Sequence, residues 1–358
     1  MAFSVLSVNP GSTSTKVAKF WGEECAWNET IRHSKDDLAP FPYVTDQFDF
    51  RLRTIRDVLR EHGDDMGTLD AVVGRGGIID PLPGGTFLVE PPLIERLKLG
   101  TPWEHASNLG GVLADALAAE YGIPAFIVDP VSVDEMLPEA HIMGLPELPK
   151  PSFVHTLNIK ATVRRAAKDM GVAWDAANFV VAHLGGGFSI AAHRRGRIID
   201  VNNANEYGPF SPDRTGGLPV GPLARICFSG EYTERDIKRK LSSHGGLIAY
   251  LGINDMRDVK KLIQAGDENA ALAYRSMAWQ VSKEIAAQAV SMSEKVDAIL
   301  FTGGVAYDSE FIALVQKRVQ WIAPCLIYAG EDEMLALAQG ALRVLAGEEE
   351  AKHYADFV

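Results

Sequence analysis

Several signatures are missing from this chain of 358 residues. It has no Gly-Lys dipeptide, which excludes a Walker-type phosphate loop, and no Gly-x-Ser-x-Gly, which excludes a hydrolase nucleophile elbow. No two histidines stand four apart, so the His-x-x-x-His metal pair is absent as well. Positive charge is scarce: 35 Lys and Arg against 47 Asp and Glu leave a net charge of -12. That balance argues against a general binder of nucleic acid or anionic membrane. Any phosphate ligand must be met by local Arg, Lys, backbone N–H or metal. The three cysteines, Cys25, Cys227 and Cys325, are an odd number without CxxC spacing. Each has apolar sequence neighbours, and buried thiols of a reducing compartment are expected. No apolar run approaches membrane-spanning length, and the N-terminus has no basic region before its short apolar run; a soluble cytoplasmic protein is expected.

What the sequence does contain is glycine in telling places. In NFVVAHLGGGFSIAAHRRGRIID an apolar run breaks at His183 into Gly185, Gly186 and Gly187, then resumes as an alternating strand from Ser189. This reads as a β-hairpin with a bare turn, suited either to cradling phosphate with exposed N–H groups or to being only a glycine-rich hairpin. SVLSVNPGSTSTKVAKF repeats the design, with Asn9, Gly11 and Thr15 each 174 residues before His183, Gly185 and Ser189. Two such hairpins, the first with Ser12 and Ser14 in its turn, point to two similar domains facing one nucleotide. The length agrees, since it exceeds what one core usually serves.

In chain order, a third strand is expected near Cys25 to Arg32. A helix follows from Asp46, as N-cap, to Glu61. Leu69 to Val73 reads as a strand entering GRGGIIDPLPGGTF, where Arg75 suits anion recognition or, alternatively, a surface pair with Asp80. Asn108 to Tyr121 reads as a helix and Ala125 to Val128 as a strand ending at Asp129, a position where ligands collect in α/β sheets. A proline-dense passage from Pro130 to Pro151 marks the first domain boundary. Helices are expected at His155 to Lys168, Leu218 to Arg225, Thr233 to Leu241, Asp255 to Gln264, Asp267 to Met292, Ser309 to Gln320 and Glu333 to Ala346. The strand Ala298 to Thr302 meets Gly303 and Gly304 in a corner suited to a flat group such as adenosine.

The segments NPGSTSTK, HLGGGFS, NDMR and FTGGVAY, in this order, resemble the acetokinase family, whose fold is shared with actin and sugar kinases. VVGRGGIIDPLPGGTF, EHASNLGG, NNANEYGPFSPDRTGGLP and GGLIAYLGINDMRDV resemble its butyrate-kinase branch rather than its acetate-kinase branch. The resemblance runs from Ser4 to about Leu345. It implies an α/β protein of two duplicated actin-like (ribonuclease H-like) domains, 1–130 with about 333–358 and 131–332, with an ATP cleft between them. It also implies a reversible reaction of ATP with a short-chain carboxylate, giving ADP and an acyl phosphate.

By similarity Asn9 and Glu333 would hold Mg²⁺. Gly11, Ser12, Ser14 and Lys16 would meet the nucleotide, together with His183, Gly185, Gly186, Gly187, Asp255, Met256, Arg257, Gly303, Gly304 and Val305. Arg214 and His155 would stabilise the transition state, and Asp129 corresponds to the family's acidic active-site residue. A carboxylate is already ionised at neutral pH, so Asp129 is expected to position the metal or its waters rather than act as a base. In the acetate-kinase branch the substrate arginine lies three residues earlier, at the place of Val72 here, so a clamp by Arg75 follows from its position near the strand end. A homodimer through the second domain is a further implication. Two other classes remain open: a nucleotide-switched interaction module of the actin kind, and a sugar kinase with Asp129 as base.

Overall fold

A computed structural model describes residues 2–63, 66–101 and 104–358. They fall into two compact units, Met1–Asp134 with Asp332–Val358, and Glu135–Glu331.

The first unit is built on β1 (Ser4–Pro10), β2 (Ser14–Trp21) and β3 (Glu24–Arg32), an antiparallel meander. Helices α1 (Lys35–Leu38) and α2 (Phe48–Glu61) lead to β4 (Ala71–Arg75), which lies parallel to β1. After β5 (Thr86–Leu88) come α3 (Pro91–Lys98), α4 (Asn108–Ala119) and β6 (Ala125–Val128). The sheet order is β3-β2-β1-β4-β6-β5. All of β1 is buried, as befits a central strand covered on both faces. Helix α4 comes so close to β4 that a Cβ on Gly74 would lie 2.0 Å from the Gly110 carbonyl oxygen. Glycine on both partners is what permits that approach.

In the second unit, α5 (Pro138–His141) and α6 (Thr156–Met170) precede a second meander of β7 (Asn178–Leu184), β8 (Phe188–Arg194) and β9 (Arg197–Val201). Then follow α7 (Val220–Cys227), α8 (Glu234–Ser242), α9 (Gly246–Leu251), α10 (Met256–Gln264) and α11 (Glu268–Ser291). Strand β10 (Ala298–Gly303), α12 (Ser309–Val319) and β11 (Cys325–Ala329) complete a sheet of order β11-β10-β7-β8-β9. Alternation along β7 sends Val180 and Ala182 to Met277, Val281 and Ile285 of α11, and Phe179 and Val181 to Ile159 and Val163 of α6. The chain then returns to the first unit as α13 (Glu333–Leu345), where Ser7 Oγ donates to the Met334 carbonyl at 3.0 Å.

The sheets share one plan: a meander whose first strand is flanked by a parallel strand. Even its irregularities recur, since β2 bulges against β3 at Lys19/Phe20 and β8 against β9 at Ala192/His193. The repeat is not residue for residue. Asn9 faces Lys16 while His183 faces Ser189, so Lys16, and not Thr15, holds the place of Ser189. The second turn is one residue shorter.

Other details depart from the sequence reading. Cys25 and Cys227 are exposed and Cys325 is half-buried, because Cys25 lies on the outer strand β3 and α7 buries none of its residues. Asp46 does not cap α2: a 3₁₀ turn, Thr45–Gln47, intervenes, and Asp46 accepts from the Tyr43 amide at 3.2 Å. No helix among the described residues is long and apolar enough to cross a membrane.

Candidate active site

In the first unit the end of β1 and the start of α13 bring three expected residues together. Asn9 Nδ2 donates to Glu333 Oε2 at 2.7 Å, and Arg75 Nη1 pairs with Glu333 Oε1. The three acids in a row before α13 thereby separate. Glu331 faces His183 in the second unit, Asp332 caps α13 through the Leu335 amide, and Glu333 turns to Asn9 and Arg75. Burial opposes ionisation of Glu333, but the nearby Arg75, the Asn9 amide and Lys16 outweigh it and hold the carboxyl below its ordinary value. Asp80 is not the partner of Arg75: it is taken by Arg96 and Tyr354. Arg75 Nε is buried with no hydrogen-bond partner, a donor left over for a ligand.

Asp129 follows β6 with φ of 41°, a backbone state uncommon for a side-chain-bearing residue and frequent at functional sites. Its Oδ1 accepts from the Gly85 amide at 2.7 Å. Gly11, Ser12 and Ser14 lie in the β1–β2 turn, which the Gly11 amide closes on the Ser14 carbonyl at 2.8 Å.

The second unit carries an open pocket of about 740 Å³ whose lining includes Gly185, Gly186, Asp255, Met256, Arg257, Gly304 and Val305. The glycines come from the β7–β8 turn and the Asp255 trio from the start of α10, where the Asp255 carboxylate caps the helix by accepting from the Arg257 amide at 2.8 Å. The pairing with Arg257 and that cap bring the Asp255 carboxyl down to about 2. Gly304 and Val305 open a 3₁₀ turn after Gly303, whose φ of 86° bends the chain away from β10. Asn254, Lys260 and Asp308 also line the cavity and were not singled out from the sequence. Asp308 spends its charge capping α12 and pairing with Lys260. Helix-capping acids on this wall disfavour phosphate, so it suits the nucleoside end, and the glycine turn suits the phosphates.

Arg214 lies against the last glycine of that turn. A Cβ on Gly187 would stand 2.3 Å from Arg214 Nη1, so only glycine leaves the guanidinium its place. One side-chain hydrogen bond, from Nη1 to the Ala204 carbonyl at 3.0 Å, fixes it and leaves its other donors open. Burial lowers its pKa, with Asp213 opposing. His155 stacks on His183 with ring centroids 3.9 Å apart, and its Nδ1 bonds Ser189 Oγ at 2.8 Å. His155 stands at the N-cap of α6 but makes no side-chain cap bond. His183 Nδ1 meets Asn158 Oδ1 at 2.9 Å; since a carbonyl oxygen only accepts, Nδ1 carries the proton and Nε2 is turned to Glu331.

No group of three or more His, Cys, Asp or Glu converges among the described residues. Mg²⁺ commonly needs no such cage, being bound by one or two carboxylates with substrate phosphates and water. The ionised Glu333 beside the Asn9 amide fits that habit.

The acetokinase family model matches residues 154–327. Butyrate kinase 2 of Clostridium acetobutylicum is 48% identical over 355 residues, covering 99% of this chain and 100% of that protein. The chain belongs to the acetokinase family. Among solved structures, acetate kinase from Porphyromonas gingivalis superposes with a TM-score of 0.81 at 20% identity, over 96% of this chain and 100% of that one. A propionate kinase from Francisella tularensis gives 0.76 at 21% identity, over 94% and 98%. These two likenesses establish the acetokinase fold.

Proposed function

We propose that this acetokinase-family protein transfers the terminal phosphoryl group of ATP, reversibly, to the carboxylate of a short-chain acid of the butyrate class. The observation that carries the reading is Arg214. It is a half-buried cation beside Asp213, held by one side-chain bond against a glycine turn, with no ion pair among the described residues. Phosphoryl transfer asks the protein for alignment and for cations around the equatorial oxygens, and little covalent chemistry.

In this reading the second-unit cavity seats the nucleoside, and the Gly185–Gly187 turn presents N–H groups to the phosphates. Arg214 and His155 meet the charge that spreads over the transferring group. In the first unit Arg75 receives the substrate carboxylate through Nε, and Lys16 and the Gly11–Ser14 turn face phosphate. Asn9 and Glu333 would hold Mg²⁺, which when bound supplies charge neutralisation at the phosphates. The acceptor arrives ionised, so Asp129 has no proton to remove; its carboxylate would instead order water on the metal.

The test is an acceptor panel with ATP and Mg²⁺: acetate to valerate, isobutyrate and a hexose, scored by ADP release and by hydroxamate formed with hydroxylamine. Hydroxamate with the four- and five-carbon acids is expected. ADP release with the hexose alone would replace the reading by a sugar kinase.

A further inference from the structure

Arg51 is fully buried, with 0% of its surface exposed. Its five N–H groups are all used, and all on neutral acceptors. Nε and Nη2 donate to Gln47 Oε1 at 3.0 and 2.9 Å, and Nη2 to the Gly11 carbonyl at 2.8 Å. Nη1 donates to the Ser14 carbonyl and to Thr15 Oγ1, each at 2.9 Å. Two other buried cations have an acid: Lys160 has Glu135 at 2.7 Å, and Arg75 has Glu333. Arg51 has none among the described residues. Burying an arginine this way is costly and retained only for a reason, because an unpaired ion in the interior forfeits its hydration.

Burial brings the guanidinium down to about 10, still fully charged at neutral pH. Thr15 Oγ1, already accepting from Arg51, has its proton left to give to His33 Nε2 at 2.8 Å. That nitrogen is then an acceptor and the His33 ring neutral; burial first, and Arg51 second, lower its pKa. Asp37 acts on His33 from a distance as the weakest of the three influences, and no acid bonds to Arg51 among the described residues.

The backbone geometry gives the cation a direction. Across a trans peptide the C=O of one residue and the N–H of the next point opposite ways. With the Gly11 carbonyl turned in to Arg51, the Ser12 N–H points outward from the turn. Ser12 is exposed and Lys16 follows on the next strand.

We propose that Arg51 is a positioning residue for the phosphate groups bound at the Gly11–Ser14 turn: it holds the turn's carbonyls inward, aims the Ser12 amide outward, and supplies from beneath a charge that only the bound anion neutralises. The proposal rests on the nucleotide-binding reading above. Arg51 touches no ligand itself; it acts through the turn.

The experiment measures equilibrium binding of ATP, ADP and adenosine to the full chain, wild type against Arg51→Met and Arg51→Lys, each checked for cooperative thermal unfolding. A unit charge withdrawn from below the phosphates should weaken ATP roughly 10- to 100-fold and leave adenosine within about twofold. Lysine, with the charge but three donors in place of five, should lie between. If Arg51→Met does not fold, Arg51→Gln, neutral but still able to bond the carbonyls, should show the same phosphate-selective loss. ATP affinity unchanged in a folded neutral variant, or equal losses for ATP and adenosine, would overturn the proposal. A wild-type protein that binds ATP but phosphorylates no acid would remove the functional reading and leave the Arg51 result standing; one that binds no ATP would overturn both.

Discussion

The two meander turns solve one problem in opposite ways. In the first unit the arginine is sunk beneath the turn, saturated by carbonyls and one hydroxyl, with no donor left over. In the second the turn is stripped to three glycines, and the arginine lies against it with most donors unspent. A saturated cation can fix geometry and field but cannot follow a moving charge. An unsaturated one can form new bonds as charge develops. In the proposed reading the first turn would seat phosphates that stay and the second would contact the one that leaves.

The sharpest way to break this comparison is Arg214→Ala. Loss of an arginine that meets the transition state should lower kcat by about 10³-fold or more, with ATP affinity changed far less. Steady-state kinetics with direct nucleotide binding checks it, and equal losses in both would place Arg214 with the ground-state contacts. Gly187→Ala should act through the same residue. The added methyl displaces the guanidinium without touching other protein atoms at comparable range, so kcat should fall about 10- to 100-fold while the melting temperature stays near that of wild type.

Asp129→Asn keeps an oxygen for the Gly85 amide. If no base is needed, its rate loss should shrink as Mg²⁺ is raised, and the pH–rate profile should keep its shape over about pH 6 to 9. A new dependence on pH would show that Asp129 moves a proton.

An effect confined to acid pH, and absent at neutral pH, sharpens the contrast between the two bulges, where Phe20 and His193 hold matching places in β2 and β8. His193 is fully buried, neither ring nitrogen has a partner, and burial with nearby Lys160 takes its pKa to about 3. The unfolded chain binds a proton below the ordinary value of 6.5 and the folded one does not. Stability present above 6.5 should thus drain away as pH falls towards 3, at up to about 1.4 kcal/mol per pH unit from this group. Urea titrations of His193→Phe against wild type at neutral and acid pH measure it; the variant should show a shallower acid loss.

Much of the fold could be read from periodicity, because helices such as α4, α11 and α13 and strands such as β6 and β10 carry long or cleanly bounded apolar patterns. Short elements were missed. Strands β5, β9 and β11 offer three to five residues each, and α9 lies between glycines that read as loop. The glycine turns, Asn9, Arg75 and Arg214 could be picked out because each sits in an unusual local context, whereas the Asp255 trio came only through the family resemblance. Arg51 was not. On α2 it is one of several arginines, and only packing distinguishes it, fully buried, from the exposed Arg53 two residues on. Which of Glu331, Asp332 and Glu333 turns to Asn9 depended likewise on how the start of α13 is rotated, and no sequence period encodes that.

Helix α13 lies far along the chain from the sheet it completes, with Ser7 bonded to Met334 across 327 positions. During synthesis β1 emerges early and waits, its partner arriving only after the whole second unit has left the ribosome. The second unit, continuous in sequence, can condense first. Premature termination anywhere before α13 therefore leaves the earliest-made part of the chain unfinished, and chaperone demand should fall on the N-terminal strands rather than on the later-made ones.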